Sequence, residues 1–149
     1  MKLFFKEVIF LFTIDGIEYD VDVGVKLDEV ERSFEKLSTD QSGRTHSGKM
    51  YINLIGTFYN YKLTVRRGLN CSLEDYEKFF EHLSAPVPFN EITVPFGLST
   101  LTFEAYITKA SQKLIRSAKD EHYWGPLTIS FISRSPQRVP AAGTEVAYL

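Results

Sequence analysis

The segment Gly43-Arg44-Thr45-His46-Ser47-Gly48-Lys49 reproduces the glycine, four-residue spacer, glycine, lysine order of a phosphate-cradling loop. Such loops work by aiming backbone N–H groups and one lysine at phosphate oxygens. The next residue is Met50, which has no hydroxyl for a magnesium ion. The run from Tyr51 to Val65 is rich in β-branched and aromatic residues, where a phosphate loop needs a helix facing the anion. The context therefore favours a polar, glycine-punctuated loop between strands over a nucleotide site. The single cysteine, Cys71, excludes an internal disulfide framework. As a nucleophile it would need a base and an orienting group beside it, and a packed thiol is the simpler reading. The three histidines, His46, His82 and His122, show no metal-ligand spacing. Glu18, Asp20 and Asp22 would share one face of a strand, whereas a calcium site needs its ligands wrapped round a turn. No catalytic, cofactor-binding or metal-ligating residue is singled out, and neither an enzyme nor a bound cofactor is expected.

The elements that must position any surface of interest are read from periodicity. A chain of 149 residues and 17.1 kDa matches one domain with a real core. We expect a single β-rich domain over 1–140, beginning with an apolar N-terminal strand or arm, and an extended tail over 141–149. Lys plus Arg number 17 against 19 Asp plus Glu, so no basic excess drives binding to phosphate backbones, and nucleic acid is not favoured as a direct ligand. Residues 1–12 are apolar but interrupted by Lys6 and Glu7. They are too short to span a bilayer and lack a small-residue cleavage site, so no membrane partner is expected.

In chain order, residues 8–14 and 17–23 flank Asp15-Gly16 and read as a hairpin. Residues 25–37 fit either a helical stripe or two stretches of alternation with a break between them, and a strand over 30–37 is chosen. Residues 38–48 form a polar loop. In the following strand Tyr59, Tyr61, Leu63 and Val65 fall on one face, opposite Asn60, Lys62, Thr64 and Arg66. The core should be built there. Ser72 caps a helix over about 73–83, with Leu73, Tyr76, Phe80 and Leu83 on its buried face and Phe79 at the margin. Strands are expected at 92–96, 101–107 and 127–133, with Pro95 off a ladder or on an edge. The basic stretch 109–123 reads as a short helix or mobile arm, Trp124 as a packing anchor, and 135–149 as an extended tail. The fold class expected is mainly β (α+β), an antiparallel sandwich or barrel flanked by one helix.

Several short stretches carry a resemblance. They are Arg32-Ser33-Phe34-Glu35-Lys36-Leu37, Asp40-Gln41-Ser42-Gly43-Arg44-Thr45 with Gly48, and Ile55-Gly56-Thr57-Phe58-Tyr59-Asn60-Tyr61. Further along come Leu83-Ser84-Ala85-Pro86, Val94-Pro95-Phe96-Gly97, the run from Leu101 to Ile107, Tyr123-Trp124-Gly125 and Pro136-Gln137-Arg138. In their order over roughly 14–140 the chain resembles small prophage-encoded proteins from the tail modules of long-tailed phages of Gram-positive bacteria. Residues 1–7 depart from that pattern. The resemblance implies a tail-tube- or baseplate-like fold and a virion structural protein, assembled in the bacterial cytoplasm as a homo-oligomeric ring or with other tail proteins. It carries over no catalytic residue. Residues placed for contact with neighbours would be Phe4, Phe5, Phe10 and Phe12 in the arm, Asp40, Arg44, His46 and Lys49 in the polar loop, and Gln137 and Arg138 in the tail. The competing reading is a small β-barrel that stacks single-stranded nucleic acid on Tyr59, Tyr61 or Tyr106 beside Lys62 and Arg66. Alternation opposes it, because Tyr59 and Tyr61 lie on the face away from both cations.

Overall fold

The structure, a computed structural model, describes residues 12–117, 119 and 122–140. Its elements are β1 (Thr13–Ile14), a π-helical turn (Tyr19–Val23), β2 (Val25–Ser38), β3 (Gly43–Arg44), β4 (Met50–Tyr51), β5 (Leu54–Arg67), α1 (Leu73–Leu83), β6 (Asn90–Phe96), β7 (Ser99–Ser111), β8 (Leu114–Ser117), β9 (His122–Trp124) and β10 (Leu127–Ser133). Six strands form one sheet in the order β1-β6-β7-β10-β5-β2, and every pair is antiparallel. β3–β4 and β8–β9 are separate two-stranded pieces. The fold is mainly β with a single α-helix among the described residues, as the periodicity implies. The sheet is open, since its end strands β1 and β2 do not pair with each other.

Alternation decides which face is buried. Tyr61, Leu63 and Val65 of β5 register against Phe131, Ile129 and Leu127 of β10, and all six are nearly inaccessible. Ile92 and Val94 of β6 and Ile14 of β1 extend the same apolar layer. At one end of this face α1 lies across the sheet. Ser72 caps it, its hydroxyl accepting from the Asp75 N–H at 3.1 Å, and Glu74 and Asp75 sit at the positive end of the helix dipole. At the other end side chains of β5 and β6 meet across the face of the open sheet. Phe96 of β6 meets Tyr59 of β5 with ring centroids 5.1 Å apart, and the Tyr61 hydroxyl donates to the Pro95 carbonyl at 2.9 Å.

The helix carries the first departure. Phe79, expected at the margin, is fully buried between Phe12, Tyr19 and Tyr76, whereas Phe80 is only partly covered. The buried stripe is thus Tyr76, Phe79 and Leu83, an i, i+3, i+7 pattern that Phe80 also nearly satisfies, so spacing alone could not choose between adjacent phenylalanines.

Three expectations about strands change. The tight turn at Asp15-Gly16 is present, with φ of 53° and 84°, and Ile14 and Ile17 exchange both backbone hydrogen bonds. The return strand is not: residues 19–23 coil into the π-helical turn, closed by Gly24 N–H donating to the Tyr19 carbonyl at 2.9 Å. Burying Tyr19 against α1 takes precedence over alternation, leaving Val21 59% exposed. Within β2 the ladder shifts register between Leu27 and Glu29, a bulge that accounts for the broken alternation, and the strand starts at Val25 rather than residue 30. The stretch 109–123 is neither helix nor arm: β7 continues to Ser111 and β8–β9 forms a hairpin. Trp124 in β9 is 41% exposed and anchors no core.

Candidate assembly surfaces

The polar loop with the phosphate-loop spacing folds as strand, turn, strand. Arg44 and Gly43 of β3 pair with Met50 and Tyr51 of β4, and Gly48 at φ 90° closes the turn with its N–H on the Thr45 carbonyl. The chain continues from this hairpin as strand, so no helix N-terminus faces the glycines. The Arg44 guanidinium donates to the Gly48 carbonyl at 2.9 Å and holds the turn, while Asp40, His46 and Lys49 lie at the surface.

This hairpin is the tip of a longer ribbon. Inward of Phe34, β2 and β5 belong to the main sheet; outward of the Phe34–Tyr59 pair they leave the core, because β10 accompanies β5 only from Val65 to Tyr61. Every residue of β2 from Glu31 to Ser38 is exposed. Phe34 is 60% accessible, and Leu37, Met50, Ile52, Leu54 and Ile55 are exposed on the same arm. Scattered apolar side chains are normal on a surface, but here they crowd one slender ribbon on both of its faces, Phe34 on one and Leu37 on the other, and leave apolar area that water solvates poorly. Phe34 also borders a cleft of about 380 Å³ shared with Arg32, Tyr59 and Phe96, in which the Arg32 guanidinium lies 5.1 Å from the Phe96 ring centre.

A strap fixes the root of the arm. Past β10 the chain crosses β5, and Thr57 and Arg138 form a bridge, the Thr57 N–H donating to the Arg138 carbonyl at 2.8 Å. Gly56 makes this possible: a Cβ there would lie 2.6 Å from the Pro136 Cβ and 2.7 Å from the Arg138 carbonyl oxygen. Gln137, expected to meet a neighbour, instead turns inward. Its Oε1 accepts from the Tyr59 N–H at 2.8 Å, and its Nε2 donates to the Ser133 hydroxyl at 2.5 Å and the Ser135 carbonyl at 2.8 Å. The Arg138 side chain remains exposed. Phe12, also expected at an interface, is a core residue with no accessible surface, and Phe4, Phe5 and Phe10 lie outside the described residues.

The titratable groups that converge do so as a staple. His82, near the C-terminal end of α1, bonds the Tyr19 hydroxyl through Nδ1 and Asp15 through Nε2 at 2.7 Å. Asp15 also accepts from the Asn90 amide at 2.7 Å and the Glu91 N–H at 3.0 Å. Burial pushes the Asp15 carboxyl up, but the hydrogen bonds from Asn90, Glu91 and His82 outweigh it and hold the group below its ordinary value. Burial, with Asp15 nearby, raises the Tyr19 phenol. A covered, harder-to-ionise phenol is a poor nucleophile, and the set joins turn, helix and β6. The bonded partners lie 63 to 76 residues apart, and no local pattern announces them. Cys71 is 4% exposed, and burial raises its thiol, so it packs as a small apolar group. Among the described residues no group of three His, Cys, Asp or Glu side chains could hold a metal ion, and no helix is long and apolar enough to cross a membrane. Tyr61 is 3% exposed, with no ring face free for a base, and Lys62 projects from the opposite side of β5.

Neither a protein-family model nor a curated protein matches the chain.

Proposed function

We propose that this chain is a virion structural protein of the tail or baseplate region of a phage or prophage, and that it acts by assembling with copies of itself. The observation that carries this reading is the β2–β5 arm. A ribbon held at its root by the Gly56–Arg138 strap, yet exposing Phe34, Leu37, Leu54 and Ile55, leaves apolar area that no described residue of the chain buries. Burial against a neighbour stabilises such a surface at roughly 25 cal/mol per Å² of apolar area. The open sheet supports the same reading, because β2 at one end and the short β1 at the other leave unlike strand edges, which suit head-to-tail contacts that close into rings. The stretches resembling tail-module proteins include the outer part of β2, the loop start and the outer half of β5, so part of the resemblance falls on the arm.

The test is the mass and shape of the purified full-length chain in solution. Defined multiples of 17.1 kDa, seen as rings by negative-stain electron microscopy, are expected. A chain that remains monomeric up to several hundred micromolar contradicts the proposal.

A further inference from the structure

The second unfilled apolar surface lies on the far side of the sheet from β2. β6 pairs with β7 only from Ser99 to Ala105, so among the described residues β7 has no strand beside it on that edge from Tyr106 to Ser111. Facing this bare edge are the end of α1 and the proline-bracketed segment 84–88. Between them runs a groove of about 600 Å³, walled by Phe80, Leu83, Pro86 and Val87 on one side and by Tyr106 and Ile107 on the other. Val87 and Tyr106 are 48% and 51% exposed. A bare strand edge beside an apolar wall accepts an extended segment as an added strand: the backbone supplies hydrogen bonds and alternate side chains enter the wall.

We infer that this groove receives the outer edge of β2 from a second copy of the chain, around residues 30–35. The inference rests on the assembly reading above and names the contact that produces it. β2 is regular from Glu29 to Leu37, after its bulge, and among the described residues its outer edge is unpaired. Its alternation suits the groove. Val30 and Phe34 lie on the core side with Tyr59 and Leu63, the side on which β7 carries Ile107, while Glu31 and Glu35 lie on the opposite side, with Lys62 and Phe58. On β7 that opposite side carries Lys109. Pairing the two edges thus puts Phe34 on the side of the apolar wall and the two glutamates on the side that carries Lys109, within reach of one of them, whereas a slip of one residue reverses both matches. Direction agrees as well. Three antiparallel steps separate β7 from β2, so the strands run oppositely, and copies sharing one orientation meet there as an antiparallel pair. A groove beside β7 and a strand at the β2 end of the sheet are different surfaces and make a heterologous contact, which closes into a ring when its rotation permits.

The experiment mixes two full-length variants, Phe34→Cys and Val87→Cys, with a short bismaleimide. Native Cys71 is 4% exposed and stays out of the reaction. Cross-linked pairs are expected in the mixture and not in either variant alone. Lys109→Glu is expected to weaken association roughly three- to tenfold, and adding Glu35→Lys to the same chain to restore it. Thermal melting of each variant checks that it stays folded, with a midpoint close to that of the unsubstituted chain expected. A chain that assembles but gives no mixed cross-link, with Lys109→Glu neutral, overturns the groove contact and leaves assembly standing. Cross-linking of Phe34→Cys to itself alone would instead place two β2 edges together and also overturn it. A chain monomeric throughout overturns both.

Discussion

Gln137→Ala tests whether the strap organises the arm. The glutamine replaces a missing strand: beyond β10 the Tyr59 N–H has no ladder partner and donates to Gln137 Oε1 at 2.8 Å, while Nε2 ties the Ser133 hydroxyl and the Ser135 carbonyl into the crossing. Alanine removes three hydrogen bonds. Each contributes about 0.5–1.5 kcal/mol net, and a half-buried N–H left without a partner costs at the lower end of about 1–3 kcal/mol. Water reaches part of the vacated site, so we expect a loss of about 2–3 kcal/mol, not the full sum. For a chain of 149 residues this lowers Tm by about 4–12 °C and shifts the urea midpoint without changing the slope. Gln137→Glu, which can accept from Tyr59 but cannot donate, should fall between wild type and alanine. Hydrogen exchange locates the effect, since the Tyr59 amide should exchange faster while that of Leu63, inside the β10–β5 ladder, changes only with global stability. A Gln137→Ala protein within about 0.5 kcal/mol of wild type, the lower bound for one such bond, with Tyr59 exchange unaltered, would refute the strap.

Other substitutions probe separate parts of the fold. Gly56→Ala should displace the strap, costing about 1–3 kcal/mol by urea unfolding, because its Cβ meets backbone as well as the proline ring. Phe79→Ala should lose about 3–5 kcal/mol and Phe80→Ala distinctly less; equal losses would mean that the helix stripe is misassigned. The Asp15 carboxyl, held low in the folded state, stabilises the fold above the ordinary carboxylate pKa, and this contribution disappears as pH falls through the folded value. Acid unfolding of Asp15→Asn should therefore start from a lower neutral-pH stability and converge on wild type at low pH. Asp20 behaves oppositely. Burial raises its carboxyl despite backbone hydrogen bonds, and its Oδ1 has no partner among the described residues, so Asp20→Asn should be the more stable protein at neutral pH, with the gap closing as pH falls.

Strand periodicity made most of the sheet legible. Tyr61, Leu63 and Val65 alternate cleanly because one face of β5 is buried and the other wet, and the same holds for Leu127, Ile129 and Phe131. Ser72, Glu74 and His82 bracketed α1 to the residue. Legibility failed where tertiary contacts overrode local pattern. Residues 17–23 alternate as a strand should, but Tyr19 is drawn under α1 to meet Phe79 and His82, and the segment coils. The basic stretch 109–123 concealed a hairpin, since Lys113 and Arg116 dilute the alternation around Leu114. As to the surfaces, the polar loop was readable as exposed, yet Phe34, Leu37, Leu54 and Ile55 were indistinguishable from core positions. A strand pattern shows which residues share a face, and only the end of β10 determines where that face ceases to be covered. Gln137 misled for the opposite reason: a polar side chain in a segment without periodicity reads as solvated, and its inward bonds depend on a strand 78 residues away.

Sedimentation equilibrium of the full-length chain, from about one to several hundred micromolar, decides whether the protein assembles with itself. A concentration-dependent rise from 17.1 kDa to a defined multiple is expected, reduced by Phe34→Glu without loss of folded structure. A mass of 17.1 kDa at every concentration would contradict self-assembly.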